Sequence, residues 1–203
     1  MKYIFSLLFS LVCFYSIGQV SVLLDENFST DELPWYISKS DIGQSKINTG
    51  RGVYIINHKR KSSTLPAYYS LKIDEKRNFK ISANLYKDKG VNNYGYGLLW
   101  GGKSKNYYSF MISATGYFLV GKVEEGVWQD LLPDGWISSD AIKKGKNKFN
   151  KLAVSKIDGR YHFEINGYEV ATIPLGNFYG DWVGFNVNNK QKILADWIKV
   201  EYL

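Results

Sequence analysis

The chain has 203 residues, with 26 Lys and Arg against 19 Asp and Glu, two His, one Cys and a formal net charge of +7. One cysteine excludes an internal disulfide framework and a thiolate metal cluster, and the two histidines have no transition-metal spacing. The length suffices for one domain with its own core.

The chain opens with MKYIFSLLFSLVCFYSIG: one Lys, an apolar run from Tyr3 to Tyr15, then Ser16-Ile17-Gly18 at the positions a signal peptidase reads. This predicts a secretory signal peptide over residues 1–18 and one domain over 19–203, in a secreted or periplasmic protein. Cys13 lies inside the apolar run behind Val12, where a lipid-anchor signal would want a small residue, so it reads as part of the leader. Cleavage after Gly18 leaves a chain from Gln19 without cysteine. No later segment approaches the ~20 apolar residues of a membrane-spanning helix.

From there the chain is punctuated by turn residues at the spacing of an all-β sandwich or barrel. Strands are predicted over Val22–Phe28, Gly52–His58, Ala67–Ile73, Phe79–Tyr86, Tyr94–Trp100, Tyr107–Ser113, Tyr117–Val123 and Val127–Leu131. Five more follow over Phe149–Lys156, Tyr161–Ile165, Tyr168–Ile173, Trp182–Val187 and Ile193–Tyr202. Asp158-Gly159 and Asn166-Gly167 suit two-residue hairpin turns, which need positive φ, so Phe149 to Ile173 reads as a three-stranded meander.

GLLWGGKS, Gly97 to Ser104, fits the phosphate-binding pattern G-x-x-x-x-G-K-[ST]. Such a loop must leave a strand and feed a helix, so that backbone N–H groups converge on phosphates. Here NYYSFMIS follows, with alternation and no helical period, so Gly101 to Lys105 reads as a hairpin loop and no nucleotide is expected. The basic residues gather at His58-Lys59-Arg60-Lys61, at Lys143, Lys144, Lys146, Lys148 and Lys151, and around Lys190 and Lys192. They read either as solvated loop tips or as attraction to an acidic polymer. Nucleic acid is set aside because the leader directs the chain out of the cytoplasm.

The run YGLLWGGKSKNYYSFMISATGYFLVGKVEEGVW, then NKFNKLAVSKIDGRYHFEINGYEVA and the closing VGFNVNNKQKILADWIKVEYL, resemble the concanavalin A-like lectin and glucanase jelly rolls. The likeness is to the secreted bacterial branch near laminin-G-like and 3-keto-disaccharide-hydrolase-like domains, from Asp25 onward. It implies an all-β, single-domain jelly-roll sandwich of two antiparallel sheets, with a concave outer face where family members often hold sugars.

Glucanases of this superfamily use E-x-D-x-x-E, which sets the working carboxylates on one strand face. That triplet is absent, since the turn at Asn166-Gly167 puts Glu164 and Glu169 on different strands. His58 reads as part of a basic loop and His162 as a surface partner of Glu164 on the same strand face. No catalytic residue is assigned. A structural calcium ion is the one cofactor considered, with Asp25, Glu26 and Asp196 as candidate ligands where the chain ends meet in related sandwiches.

Alternation separates core rings from exposed ones. Tyr96, Leu98, Trp100, Tyr108, Phe110, Ile112, Val183, Phe185 and Val187 should face inward. The opposite face should carry Tyr107, Ser109, Trp182, Asn186 and Asn188, with Trp136 on a loop crossing it, and with Gly95 and Gly97 leaving room for a ligand. Amides and indoles on an outer face suit hydroxyl-rich ligands. The sequence thus predicts a secreted, non-catalytic module binding a polysaccharide or surface glycan; a glycoside hydrolase and an adhesive domain of a surface assembly are the alternatives.

Overall fold

The computed structural model describes residues 21–203, and the leader predicted over residues 1–18 lies outside them. Two antiparallel sheets pack face to face, numbered here in chain order. The first sheet runs β13 (Tyr168–Pro174), β12 (Arg160–Ile165), β11 (Asn150–Ile157), β5 (Phe79–Gly90), β15 (Gln191–Tyr202), β3 (Val53–His58), β2 (Gly43–Asn48). β1 (Ser21–Glu26) pairs with the far half of β15. The second sheet runs β10 (Ile137–Ser138), β8 (Tyr117–Glu124), β7 (Asn106–Ile112), β6 (Tyr96–Lys103), β14 (Trp182–Asn188), β4 (Thr64–Ser70), with β9 (Val127–Asp130) beside β8. This is the predicted single-domain all-β sandwich.

The inward alternation predicted for β6, β7 and β14 holds: Tyr96, Leu98, Trp100, Tyr108, Phe110, Ile112, Val183, Phe185 and Val187 all lie in one buried core. Aromatic rings bind the two sheets together, since their faces and edges fill the interlayer space more completely than aliphatic chains. Phe185 stacks on Trp35 at 6.1 Å, and Trp100 meets the edges of Tyr161 and Phe163 from the first sheet at 5.6 and 5.9 Å. The meander β11–β12–β13 turns at Asp158-Gly159 and Asn166-Gly167 with positive φ at all four residues, as those pairs require.

Several boundaries differ from the sequence prediction. The hairpin between β6 and β7 turns on Ser104-Lys105 alone, because Lys103 pairs with Asn106. Gly101 and Gly102 belong to β6, where the register shifts between Trp100 and Lys103 and Gly101 takes φ 61°, a bulge in place of the predicted longer loop. No helix follows, so the nucleotide motif lacks its structural context. β2 and the short β10 were not predicted, and β4 begins at Thr64 and ends at Ser70. His58, expected in an exposed loop, ends β3 with 1% exposure, bonds Ser63 Oγ through Nε2 at 3.1 Å, and has its pKa lowered by burial. Among the described residues, no helix is long and apolar enough to cross a membrane.

Candidate functional site

The outer face of the second sheet is built by register. One row across it reads Tyr68, Gly184, Leu99, Ser109, Gly121, and the next reads Pro66, Asn186, Gly97, Met111, Leu119. A groove of about 600 Å³ lies on this face, lined by Tyr107, Trp128, Trp136 and Asn188 and, from the second row, by Met111 and Leu119. Its end is formed by the Ser104-Lys105 turn.

Two tryptophans take the space that glycines leave. The Trp128 ring lies over Gly121, where a Cβ would come within 2.1 Å of Cζ2, and its Nε1 donates to Asp130 Oδ1 at 2.6 Å. Trp136 lies over Gly95, where a Cβ would sit 2.8 Å from Cη2. The room predicted for a ligand at Gly95 is therefore filled by Trp136. At Gly97 the demand is for close strand approach, since a Cβ there would meet Phe110 O at 2.0 Å.

The predicted residues separate into three groups. Tyr107, Trp136 and Asn188 come together around the groove. Ser109 and Asn186 share that face but are buried at 0% and 1% exposure. There Asn186 Nδ2 donates to Ser109 Oγ at 3.1 Å, and Ser109 Oγ donates to Leu98 O at 3.0 Å. They form a buried polar pair rather than an open surface. Trp182 does not line the groove but packs against the same small cluster of Leu99, Tyr107 and Val123 as Trp128, and its ring stacks on Tyr68 at 4.1 Å, which stacks on Tyr36 at 4.9 Å.

Burial pushes the Tyr107 phenol up to about 12, with the nearby Asn186 side chain a smaller opposing influence, so the phenol stays neutral in ordinary buffers. Asn188 Oδ1 accepts from Thr64 Oγ1 at 3.0 Å, which orients its amide at the groove edge. Beyond Trp136 a second hollow of about 350 Å³ is lined by Asn93, Ser113, Thr115 and Tyr117. Trp136 thus stands between two recesses.

Trp128 and Met111 were missed as site residues. The signal for Trp128 was available: Glu125-Gly126 closes a tight hairpin that sets Val123 opposite Trp128, on the face that Tyr107 also takes. Met111, two residues beyond Ser109 on β7, shares its face by the same alternation.

The candidate calcium ligands do not assemble. Glu26 is buried, with Oε1 accepting from the Phe28 N–H at 2.6 Å and Oε2 from Trp35 Nε1 at 3.4 Å. Asp196 accepts from Asn84 Nδ2 at 3.2 Å, and Asp25 pairs in register with Lys199. Among the described residues no group of three or more His, Cys, Asp or Glu is placed to hold a metal ion. His162 hydrogen-bonds Glu169 on the neighbouring strand at 3.0 Å, while Glu164 pairs with Lys80 at 2.8 Å, so the expected His162–Glu164 partnership is replaced by two separate contacts.

No family model matches the chain, and no curated protein matches it. Among solved structures, the chain is similar to the carbohydrate-binding module CBM66 from Bacillus subtilis, with TM-score 0.62 and 14% identity over 81% of this chain and 94% of that one. It is also similar to the carbohydrate recognition domain of Emp47p, with TM-score 0.57 and 11% identity over 92% of this chain and 98% of that one. A third is the xylan β-1,4-xylosidase from Bacillus halodurans C-125, with TM-score 0.61 and 13% identity over 87% of this chain but 38% of that one. The shared feature is the fold, a sandwich of two antiparallel sheets.

Proposed function

We propose that this protein is a secreted, non-catalytic module that binds a hydroxyl-rich saccharide in the groove on the outer face of the second sheet. The observation that carries this reading is the pair of indoles, Trp128 and Trp136, fixed over Gly121 and Gly95 at a groove that also presents the Tyr107 phenol and the Asn188 amide. Indole faces suit the C–H faces of pyranose rings, and neutral phenol and amide groups suit hydroxyls. Trp136 stacks one sugar unit, Trp128 flanks the next, and the hollow beyond Trp136 extends the site for a chain of several units. Asn186 acts from the buried side, where its Nδ2 meets the Met111 sulfur at 3.9 Å.

Binding is favoured over hydrolysis by the composition of the groove, which has no carboxylate among its lining residues. The similar structures described as carbohydrate-binding modules or recognition domains support the same class. The apolar run from Tyr3 to Tyr15, followed by Ser16-Ile17-Gly18, supports export. A glycan-array screen of the chain beginning at Gln19 tests the proposal: saturable binding of at least one saccharide family is expected. Binding to none, or turnover of a glycoside without a saturable bound state, would refute it.

A further inference from the structure

The outer face of the first sheet, on the opposite side of the molecule, carries a different chemistry. At one end of this sheet Gln44, Asn57, Lys192 and Lys89 lie side by side across β2, β3, β15 and β5. The neighbouring row is Lys46, Ile55, Leu194 and Tyr86. A hollow of about 630 Å³ opens over these rows, and Lys59 and Lys190, from the two adjoining turns, also line it. Two of the basic clusters seen in the sequence, around Lys59 and around Lys190, are thereby joined through the pairing of β3 with β15.

Five lysines line this hollow and no carboxylate does. Lys192 and Lys89 face each other directly across the ladder, an arrangement of like charges that disfavours the fold. Asp88 relieves part of this by pairing with Lys192 at 2.9 Å. Among the described residues, Lys46, Lys59, Lys89 and Lys190 have no ion-pair partner. Solvated lysines alone would need no floor, yet this hollow has one. Ile55 lines it, backed by Val53, Leu194 and Tyr86 in a small apolar cluster, and the Gln44 and Asn57 amides stand beside it.

We propose that this hollow is a second binding site, specific for an anionic polysaccharide. The C–H face of a sugar ring rests on Ile55, the Gln44 and Asn57 amides bond its hydroxyls, and Lys46, Lys59, Lys89 and Lys190 pair with its carboxylate or sulfate groups. A phosphate backbone would satisfy the lysines but leave the apolar floor and the amides unused, which argues for a sugar acid or sugar sulfate over a nucleic acid. The site does not depend on the groove of the second sheet.

The test is calorimetric titration with polygalacturonate, dextran sulfate, neutral dextran, and inorganic polyphosphate matched in charge density, near physiological ionic strength. One of the two acidic polysaccharides should bind, neutral dextran should not bind at this hollow, and polyphosphate should bind more weakly. The triple variant Lys46→Gln, Lys59→Gln, Lys89→Gln should lose about tenfold in affinity or more, since three charges that pair with the ligand are removed. Lys143→Gln, Lys144→Gln, Lys148→Gln removes equal charge elsewhere and should stay within about twofold of the parent. Trp128→Ala should leave this binding unchanged, which separates it from the groove. Equal losses in the two triple variants, polyphosphate or an oligonucleotide binding as tightly as the acidic polysaccharides, or no binding to either acidic polysaccharide would overturn the proposal.

Discussion

Trp128 and Gly121 occupy one another's space: the indole lies where a side chain at position 121 would be, with Cζ2 only 2.1 Å from the place of a Cβ. The Trp128 Nε1 bond to Asp130 holds the ring in that position. Gly121→Ala should therefore expel the indole from the sheet and open one side of the groove. A cost of about 1–3 kcal/mol is expected from the overpacking, with a change in tryptophan emission and weaker saccharide binding. Unchanged emission and full binding would show that the ring does not depend on this glycine.

Core and groove should separate cleanly under mutation. Phe185 sits among Phe28, Trp35 and Tyr54 at centroid distances of 6.5, 6.1 and 6.1 Å, with no exposure. Phe185→Ala should cost roughly 3–5 kcal/mol in denaturant unfolding through the cavity it leaves. Trp136, 37% exposed, should by contrast cost little stability when truncated. A comparable loss in both variants would mean that Trp136 is a core residue in function.

Lys87 gives the fold a pH dependence. Its side chain is fully buried, and Nζ donates to the carbonyls of Val91 and Tyr94 at 2.5 and 3.1 Å. Burial, with a smaller repulsion from Lys146, brings its pKa from 10.5 down to about 8. The unfolded chain then binds more protons between those values, so this group's contribution to stability rises as pH increases through the window and is lost as pH falls toward 8. Above the ordinary tyrosine pKa of 10.0 the trend reverses, because burial raises the phenols of Tyr107 and Tyr161. Melting temperatures between pH 7 and about 9.5 should climb more steeply in the wild type than in Lys87→Met. Equal slopes would contradict the assignment.

The nucleotide pattern offers a negative control. Lys103 is exposed at the end of β6, beside a two-residue turn. Lys103→Ala should change stability by less than about 0.5 kcal/mol and leave glycan binding intact. ATP affinity that disappears in this variant would require a phosphate site that a strand–turn–strand hairpin does not provide.

Much of the sandwich could be read from period-two alternation, because NYYSFMIS and WVGFNVNN place their largest rings on one face and the turn pairs Asp158-Gly159 and Asn166-Gly167 set the meander. β2 escaped notice because GQSKIN holds one large apolar residue, Ile47, and owes its strand state to pairing with β3. The site was half legible for a related reason. Alternation puts Asn186 and Ser109 on the outer face correctly, but it cannot reveal that their neighbours on that face cover them. Nor does it foresee that Gly95 and Gly121 make room for the protein's own indoles. The two lysine clusters were visible, whereas their meeting depends on β3 and β15 being neighbours across more than a hundred residues of chain.

The most direct measurement is a titration of the best array hit against wild type, Trp128→Ala, Trp136→Ala and Asn188→Ala, with thermal melts in parallel. Loss of a stacked ring or an oriented amide from a desolvated site is worth about 1–3 kcal/mol, so each variant should bind about 5-fold to 100-fold more weakly. Their melting temperatures should stay close to that of the wild type. Full affinity retained in all three variants would contradict the groove as the saccharide site.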